Sequence, residues 1–261
     1  MVRRIAEAGP YEGVARELAQ TAFSSIHYVE ETESTNADAA GLLDNARSGG
    51  HTIVAEYQRR GAGRKGRVWL APAGTALLST TILPRSVDTA NLWIVPFWTA
   101  LAVHNALDNF GLTTTLQWPN DLLLGDRKIA GVLCQSSISA AAAHVACGVG
   151  INVRRPGADP GIEPPPAFCD DVAAIDRAVL LHALLREYER TLAAIDLPQR
   201  ISEQWNDAAQ LPGRRYRIQL DGDAQSFEAL AQGLAPGGGL RVIRQNGMRD
   251  TVSLADARVL R

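Results

Sequence analysis

Residues 58–69 read Gln-Arg-Arg-Gly-Ala-Gly-Arg-Lys-Gly-Arg-Val-Trp, five cations and three glycines closing on Trp69. This stretch constrains the fold more than any other. It spells Gly61-x-Gly63-x-x-Gly66, the letters of a dinucleotide fingerprint, but that fingerprint needs a helix opening at its last glycine. Pro72 and Gly74 follow instead, then the β-forming run 75–82, and a second β-forming run, 51–57, precedes it. No Gly-Lys-Ser/Thr is present, which excludes a P-loop. What remains is a strand, a cationic loop and a strand. Glycines let backbone approach a ligand, and arginines offer planar forks to carboxylate or phosphate oxygens, so the loop is read as meeting an anion. A charge run is most often plain solvated surface; Trp69, costly to leave in a bare loop, counts against that here. Five clustered cations repel one another, which predicts a loop that orders only when an anion arrives.

The cations are concentrated rather than abundant. The formal charge is −2, against a surface that grips nucleic acid throughout. With 261 residues and 46% apolar content the chain can bury a full core, as one large domain or one large and one small. Cys134, Cys147 and Cys169 show no Cys-x-x-Cys spacing and read as buried thiols in a reducing compartment. Segment 1–7 is basic without an apolar run behind it, and no later segment reaches membrane-spanning length, so the expectation is a cytoplasmic protein that contacts no membrane. Residues 1–33 have room for one short helix over 12–22 and a strand over 26–29, not for a helix-turn-helix, so no DNA partner is expected.

Thr35 and Asp38 stand in capping-box spacing ahead of a helix running toward Asn45 and ended by Gly49-Gly50. Spacing alone makes Ser34, Thr35 and Asn36 an N-cap, though such a terminus can also hold a polar ligand. Apolar residues at three- and four-residue intervals predict a helix over 91–110, with Trp93, Trp98 and His104 as packing residues. A strand over 113–118 runs into Pro119-Asn120-Asp121. The Gly125-Asp126 turn then signals a hairpin ahead of Lys128. Asn120-Asp121 alone reads as a polar turn and Lys128 alone as a surface lysine; together they bring an amide, a carboxylate and a cation to adjoining strand ends. A strand over 144–149 closes on Gly148-Val149-Gly150-Ile151-Asn152. A Pro/Gly-dense loop over 154–166 follows, then helices over 177–195 and around Ile201 and Trp205. From Leu211-Pro212-Gly213 onward the pattern changes to short alternating strands, over 214–220, 227–234, 240–244 and 251–254, which predicts a small β-barrel.

Four ordered pieces now stand together: Glu33-Ser34-Thr35-Asn36; Gln58 with Gly61-Ala62-Gly63-Arg64-Lys65-Gly66-Arg67-Val68-Trp69; Trp118-Pro119-Asn120-Asp121 with Lys128-Ile129-Ala130-Gly131; and Gly148-Val149-Gly150-Ile151-Asn152. In this order the chain resembles the biotin protein ligase family, in its form without an N-terminal DNA-binding domain. The resemblance implies an α+β fold: a mixed central sheet flanked by helices, like that of class II aminoacyl-tRNA synthetases, over 1–210, and an SH3-like β-barrel over 211–261. It implies that biotin and MgATP give biotinyl-5′-AMP, and that the biotinyl group then passes to a lysine of a biotin carboxyl carrier protein such as that of acetyl-CoA carboxylase. The enzyme would act as a monomer or weak homodimer.

By the same resemblance Ser34, Thr35, Asn36 and Gln58 hydrogen-bond the biotin head, and Gly61, Ala62, Gly63 and Arg64 wrap it. Arg64, Arg67 and Lys128 meet the carboxylate and phosphate oxygens, with Lys128 bridging the reacting groups. Trp69 and Asn152 border the adenylate, and Asn120 and Asp121 hold the Mg2+-phosphate end or orient the incoming lysine. Two positions depart from the family: Ala62 stands where arginine is usual, and Gln117 where lysine is usual. Each removes a cation, which lowers the expected rate and nucleotide affinity. It also leaves a biotin sensor with impaired adenylation as an alternative, beside a lipoate or octanoate ligase relative.

Overall fold

The computed structural model describes residues 8–158, 161–255 and 257–260, without the side chains of Ala46 and Arg258. Segment 1–7, on which the absence of a targeting sequence was read, lies outside them. In chain order the elements are α1 (Glu12–Glu17), β1 (Ile26–Thr32), α2 (Thr35–Ala40), β2 (Thr52–Gln58), β3 (Gly61–Ala62), β4 (Val68–Trp69), β5 (Ala76–Ile82), β6 (Val87–Asp88), α3 (Val95–Asp108), β7 (Thr114–Gln117), β8 (Asp121–Leu124), β9 (Arg127–Ser139), β10 (Ala142–Asn152), α4 (Arg177–Thr191) and α5 (Pro198–Ala208). Then come β11 (Arg215–Leu220), β12 (Ser226–Leu234), β13 (Leu240–Arg244), β14 (Arg249–Val252) and β15 (Ala257–Leu260).

The central sheet runs β1-β2-β5-β10-β9-β8-β7, with β6 paired to β10. Among the described residues only β1 and β2 are parallel; the remaining pairs are antiparallel, so the sheet is mixed. Alternation along each strand divides its residues between two faces. Val54, Leu77, Val132, Cys147, Val149 and Ile151 enter the large core with residues of α3 and α4. On the opposite face Ile53, Ile82 and Ala146 cover α2 through Ala39, and Ala55, Ala76 and Leu78 meet Trp69. The site is built on this second face.

The helix expected over 91–110 begins as a 3-10 turn, 89–94, capped by the Asp88 carboxylate, and becomes α-helical at Val95. Pro96 explains the switch: lacking an N–H it sits well only in a first helical turn. The capping box at Thr35 does not form. The helix starts one residue after Ser34 with no side-chain cap, its α-helical span ends at Ala40, and Asp38 accepts from Thr32 Oγ1 at 2.6 Å. Thr35 spends its hydroxyl on Gln58 instead.

The C-terminal sheet is antiparallel throughout, ordered β14-β13-β12-β11-β15. Its five strands follow one path, with β14 and β15 at the ends among the described residues; the antiparallel sheet expected is present, and closure into a barrel is not shown. The strand expected over 251–254 lies two residues earlier, and β15 was not foreseen. Its core is continuous with that of the central sheet: Tyr216, Ile218, Leu234 and Val242 join the same buried cluster as Phe97 and Trp205. Trp118 spans the junction, its backbone N–H donating to Tyr216 Oη at 3.3 Å and its indole N–H to the Gly238 carbonyl at 3.0 Å.

Candidate active site

Gln58 ends β2 beside the start of α2, and its Oε1 accepts both the Thr35 N–H at 2.7 Å and the Thr35 hydroxyl at 3.0 Å. From the adjoining β5, Thr80 Oγ1 lies 2.8 Å from Thr35 Oγ1 and 2.6 Å from Asn36 Oδ1, while Asn36 Nδ2 donates to the Leu133 carbonyl at 3.0 Å. A row of donors and acceptors is thereby fixed in direction by its own hydrogen bonds. Asn36 fits only because Gly148 lies beneath it: a Cβ there would stand 2.0 Å from Asn36 Oδ1.

The cationic stretch is a small hairpin. Gly61 pairs with Trp69 and Ala62 with Val68, Gly63 N–H donates to the Arg67 carbonyl at 2.7 Å, and Lys65 at the tip adopts the left-handed φ of 57°. Acids from distant elements meet the cations of this stretch, which offsets part of the repulsion among them. Arg59 pairs with Glu31 and Glu33, Arg60 with Glu33, and Lys65 with Asp221 at 2.6 Å. Arg64 Nη2 donates to the Leu254 carbonyl at 2.5 Å. Burial, with Arg67 alongside, lowers the Arg64 pKa from its ordinary value, and Asp121 and Asp221 oppose that shift.

Trp69 rests in a notch in the central sheet. Gly131 and Gly150 are register partners across β9 and β10; a Cβ on Gly150 would come within 2.7 Å of the Trp69 ring, and one on Gly131 within 3.1 Å of the ring and of Lys128. Lys128 Nζ stands 5.2 Å from the indole centroid and 2.5 Å from Asp121 Oδ1, whose side chain is 8% exposed. Trp69 Nε1 and Asn120 Oδ1 are buried without hydrogen-bond partners among the described residues. Burying a polar atom unpaired is costly, so both atoms suit a ligand.

Two cavities meet at this point. The inner, about 140 Å³, is lined by Ser34, Thr35, Asn36, Gln58, Ala62, Gly63, Arg64 and Asn120, with Leu78, Leu133 and Gly148 behind them. The outer, about 360 Å³, has Asn152, Leu70, Ile162, Pro164, Pro166, Val259 and Leu260 on its walls. Arg67, Val68, Trp69 and Lys128 line both. Gly61 lies behind the wall, where a Cβ would strike the Trp69 carbonyl at 2.5 Å, and Asp121 reaches the site through Lys128. Asn152 Nδ2 donates to the Ala167 carbonyl at 3.1 Å and, more weakly, to that of Lys128 at 3.4 Å, joining the outer wall to the lysine strand. Gln117 is buried in β7 opposite Asp121 and lines neither cavity. Thr80 was missed from sequence; the available signal was a threonine sharing a strand face with Leu78 and Ile82, where a buried hydroxyl needs a partner.

With this geometry in view, residues 28–152 match the profile of the biotin/lipoate A/B protein ligase family. A biotin–[acetyl-CoA-carboxylase] ligase of Paracoccus denitrificans is 34% identical over 177 residues, 63% of this chain and 72% of its own length. Its counterpart from Mycobacterium tuberculosis is 33% identical over 220 residues, 78% of each. In fold, the chain is similar to the biotin protein ligase of Aquifex aeolicus, solved with biotin and ATP, at a TM-score of 0.72 and 22% identity, covering 92% of this chain and 100% of that one. The four motifs, the two joined cavities and these relatives agree: the chain belongs to the biotin protein ligase family.

Proposed function

We propose that the protein is an ATP-dependent ligase that attaches biotin to one lysine of a biotin carboxyl carrier protein through biotinyl-5′-AMP. The observation that carries this reading is the pair of cavities meeting at Arg67, Trp69 and Lys128. The inner cavity, with its oriented polar row, suits the compact ureido head of biotin; the outer, larger and mostly apolar in its walls, suits the nucleotide, with the base against Trp69 and Asn152 at the border. The carboxylate and the α-phosphate then meet at the junction.

In the first step a carboxylate oxygen attacks the α-phosphorus, the C–O–P linkage forms and pyrophosphate leaves. Both reactants are anions, so the protein's work is positioning and charge neutralisation rather than proton transfer. Arg67 supplies a fork to the phosphate oxygens and Lys128 bridges carboxylate and phosphate, exchanging its hold on Asp121 for the reacting groups. Arg64 shapes the wall of the biotin cavity. Among the described residues no three His, Cys, Asp or Glu side chains form a metal-holding group. Mg2+ is ordinarily carried by substrate phosphates plus one or two protein oxygens, and Asn120 Oδ1 with the Asp121 carboxylate fits that role. When bound it would offset charge on the pyrophosphate leaving group. In the second step the carrier lysine, as free amine, attacks the acyl carbonyl and AMP leaves; Asp121 is placed to orient that amine.

In this reading residues 1–210 carry the chemistry, 211–261 form an SH3-like unit beside it, and the enzyme works in the cytoplasm as a monomer or weak homodimer. A biotin sensor with impaired adenylation is the second reading. It is favoured by Ala62, which puts a methyl on the cavity wall where the family resemblance expects a cation. Incubation with biotin, MgATP and a carrier domain decides between them: a mass gain of one biotinyl group on the carrier supports the ligase, and an unmodified carrier supports the sensor.

A further inference from the structure

We infer that Asp221, a residue of the C-terminal part that lines neither cavity, is a positioning residue for the adenylating site, holding the cationic hairpin through Lys65. The inference rests on reading that hairpin as the wall of a biotin-adenylating site. Lys65 occupies the left-handed φ of 57°, a conformation that favours glycine and costs a lysine energy. Glycine stands next to it at 66, so the sequence had the permissive residue within reach and places lysine at the tip. The lysine side chain does what glycine cannot: its ammonium meets Asp221 Oδ2 at 2.6 Å, in the turn between β11 and β12. The adjacent Arg64 donates to the Leu254 carbonyl, just beyond β14. Two successive hairpin residues are thus tied to two different loops of the C-terminal sheet.

The tie matters because the other anchors of the hairpin, Trp69 in its notch and the Arg59 and Arg60 ion pairs, all lie at its base and not at its tip. β3 and β4 are two residues each and, among the described residues, pair only with each other, and Val68 at 59% and Leu70 at 60% exposure bury little. So short a ribbon is marginal alone. The position of Ala62, Gly63, Arg64 and Arg67 on the cavity wall therefore depends on the far end being held. Lys65 is 26% exposed and Asp221 51%, so the effect is modest, on the order of twofold to fivefold.

The test is residue-resolved hydrogen exchange on the free protein together with biotin-dependent pyrophosphate–ATP exchange. Asp221→Asn should speed exchange of the Gly63 and Arg67 amides and raise the biotin KM by about twofold to fivefold, with kcat within about a factor of two. Asp221→Lys, which sets a cation against Lys65, should do more, and Lys65→Glu combined with Asp221→Lys should restore both readouts. Lys65→Gly should loosen the hairpin although it relieves the strained φ. The neighbouring Asp223→Asn serves as control and should change nothing. Unaltered amide exchange in Asp221→Asn, a charge swap no better than Asp221→Lys, or a tighter hairpin in Lys65→Gly would overturn the inference. If the unaltered protein fails to exchange pyrophosphate, the ligase reading fails, and hydrogen exchange judges the latch by itself.

Discussion

Replacing Gly150 by alanine should disable the site while leaving the fold in place. The added Cβ would stand 2.7, 2.9 and 3.1 Å from three atoms of the Trp69 ring, whereas ordinary contact begins at 3.4 Å. Something must yield by about 0.7 Å. Gly150 cannot, because β10 is paired on both sides, to Leu78 of β5 and Gly131 of β9. The hairpin carrying Trp69 yields instead. Overpacking of this kind costs about 1–3 kcal/mol, and displacing the indole also weakens its contact with Lys128, worth about 0.5–1 kcal/mol at a partly open site. If that cost falls on the ligand-ready arrangement, affinity drops by about tenfold to several hundredfold. Because Trp69 lines both cavities, calorimetry should show weaker binding of biotin and of ATP, with the melting temperature lowered by only a few degrees. Wild-type affinities for both ligands in Gly150→Ala would refute the notch as the seat of Trp69.

Thr80→Val removes the hydroxyl shared by Thr35 and Asn36 and strands the Asn36 carbonyl oxygen, a loss of about 1–3 kcal/mol; the biotin KM should rise roughly tenfold with kcat little changed, and an unaltered KM would contradict the polar row. Gly148→Ala should weaken biotin more than ATP, since the three atoms nearest its Cβ all belong to Asn36, and equal losses measured by calorimetry would contradict the division of the two cavities. His27 and His51, 3.1 Å apart on the β1–β2 edge, both have pKa values below the ordinary 6.5, chiefly through burial; the same holds for His104. A depressed folded pKa means that the unfolded chain takes up protons first. This contribution to stability is complete above 6.5 and is lost as pH falls from there through the folded values. Thermal melts should drop as pH falls below about 6.5, less so in His27→Gln, and a flat profile would contradict this.

The sequence made the site more legible than the packing that holds it. Gly148, Gly150 and Gly131 stand out as glycines inside strands, but that two of them face each other under one tryptophan depends on the β9–β10 register, which no local pattern states. Thr35 has the spacing of an N-cap; Gln58, 23 residues away, takes its hydroxyl. The acids that meet the hairpin cations could not be read locally, since Glu31 lies on another strand and Asp221 is 156 residues from Lys65. The strands over 52–58 and 76–82 were readable because their β-branched and aliphatic runs, 52–55 and 76–82, are buried on both faces. β15, by contrast, is only Ala-Arg-Val-Leu, and its pairing to β11 is a tertiary contact. Ala62 and Gln117 differ in consequence as well: Ala62 lines the inner cavity, whereas Gln117 is buried in β7 and its missing charge does not face either cavity.

The central claim is adenylation at the junction of the two cavities with Lys128 as the bridging cation. Exchange of labelled pyrophosphate into ATP measures it directly, with biotin, lipoate and octanoate run in parallel on the unaltered protein and on Lys128→Ala. The account predicts exchange with biotin alone, lost by about a hundredfold or more in Lys128→Ala while that variant still binds biotin and melts as the unaltered protein does. Exchange driven equally by lipoate, or full exchange in Lys128→Ala, would contradict it.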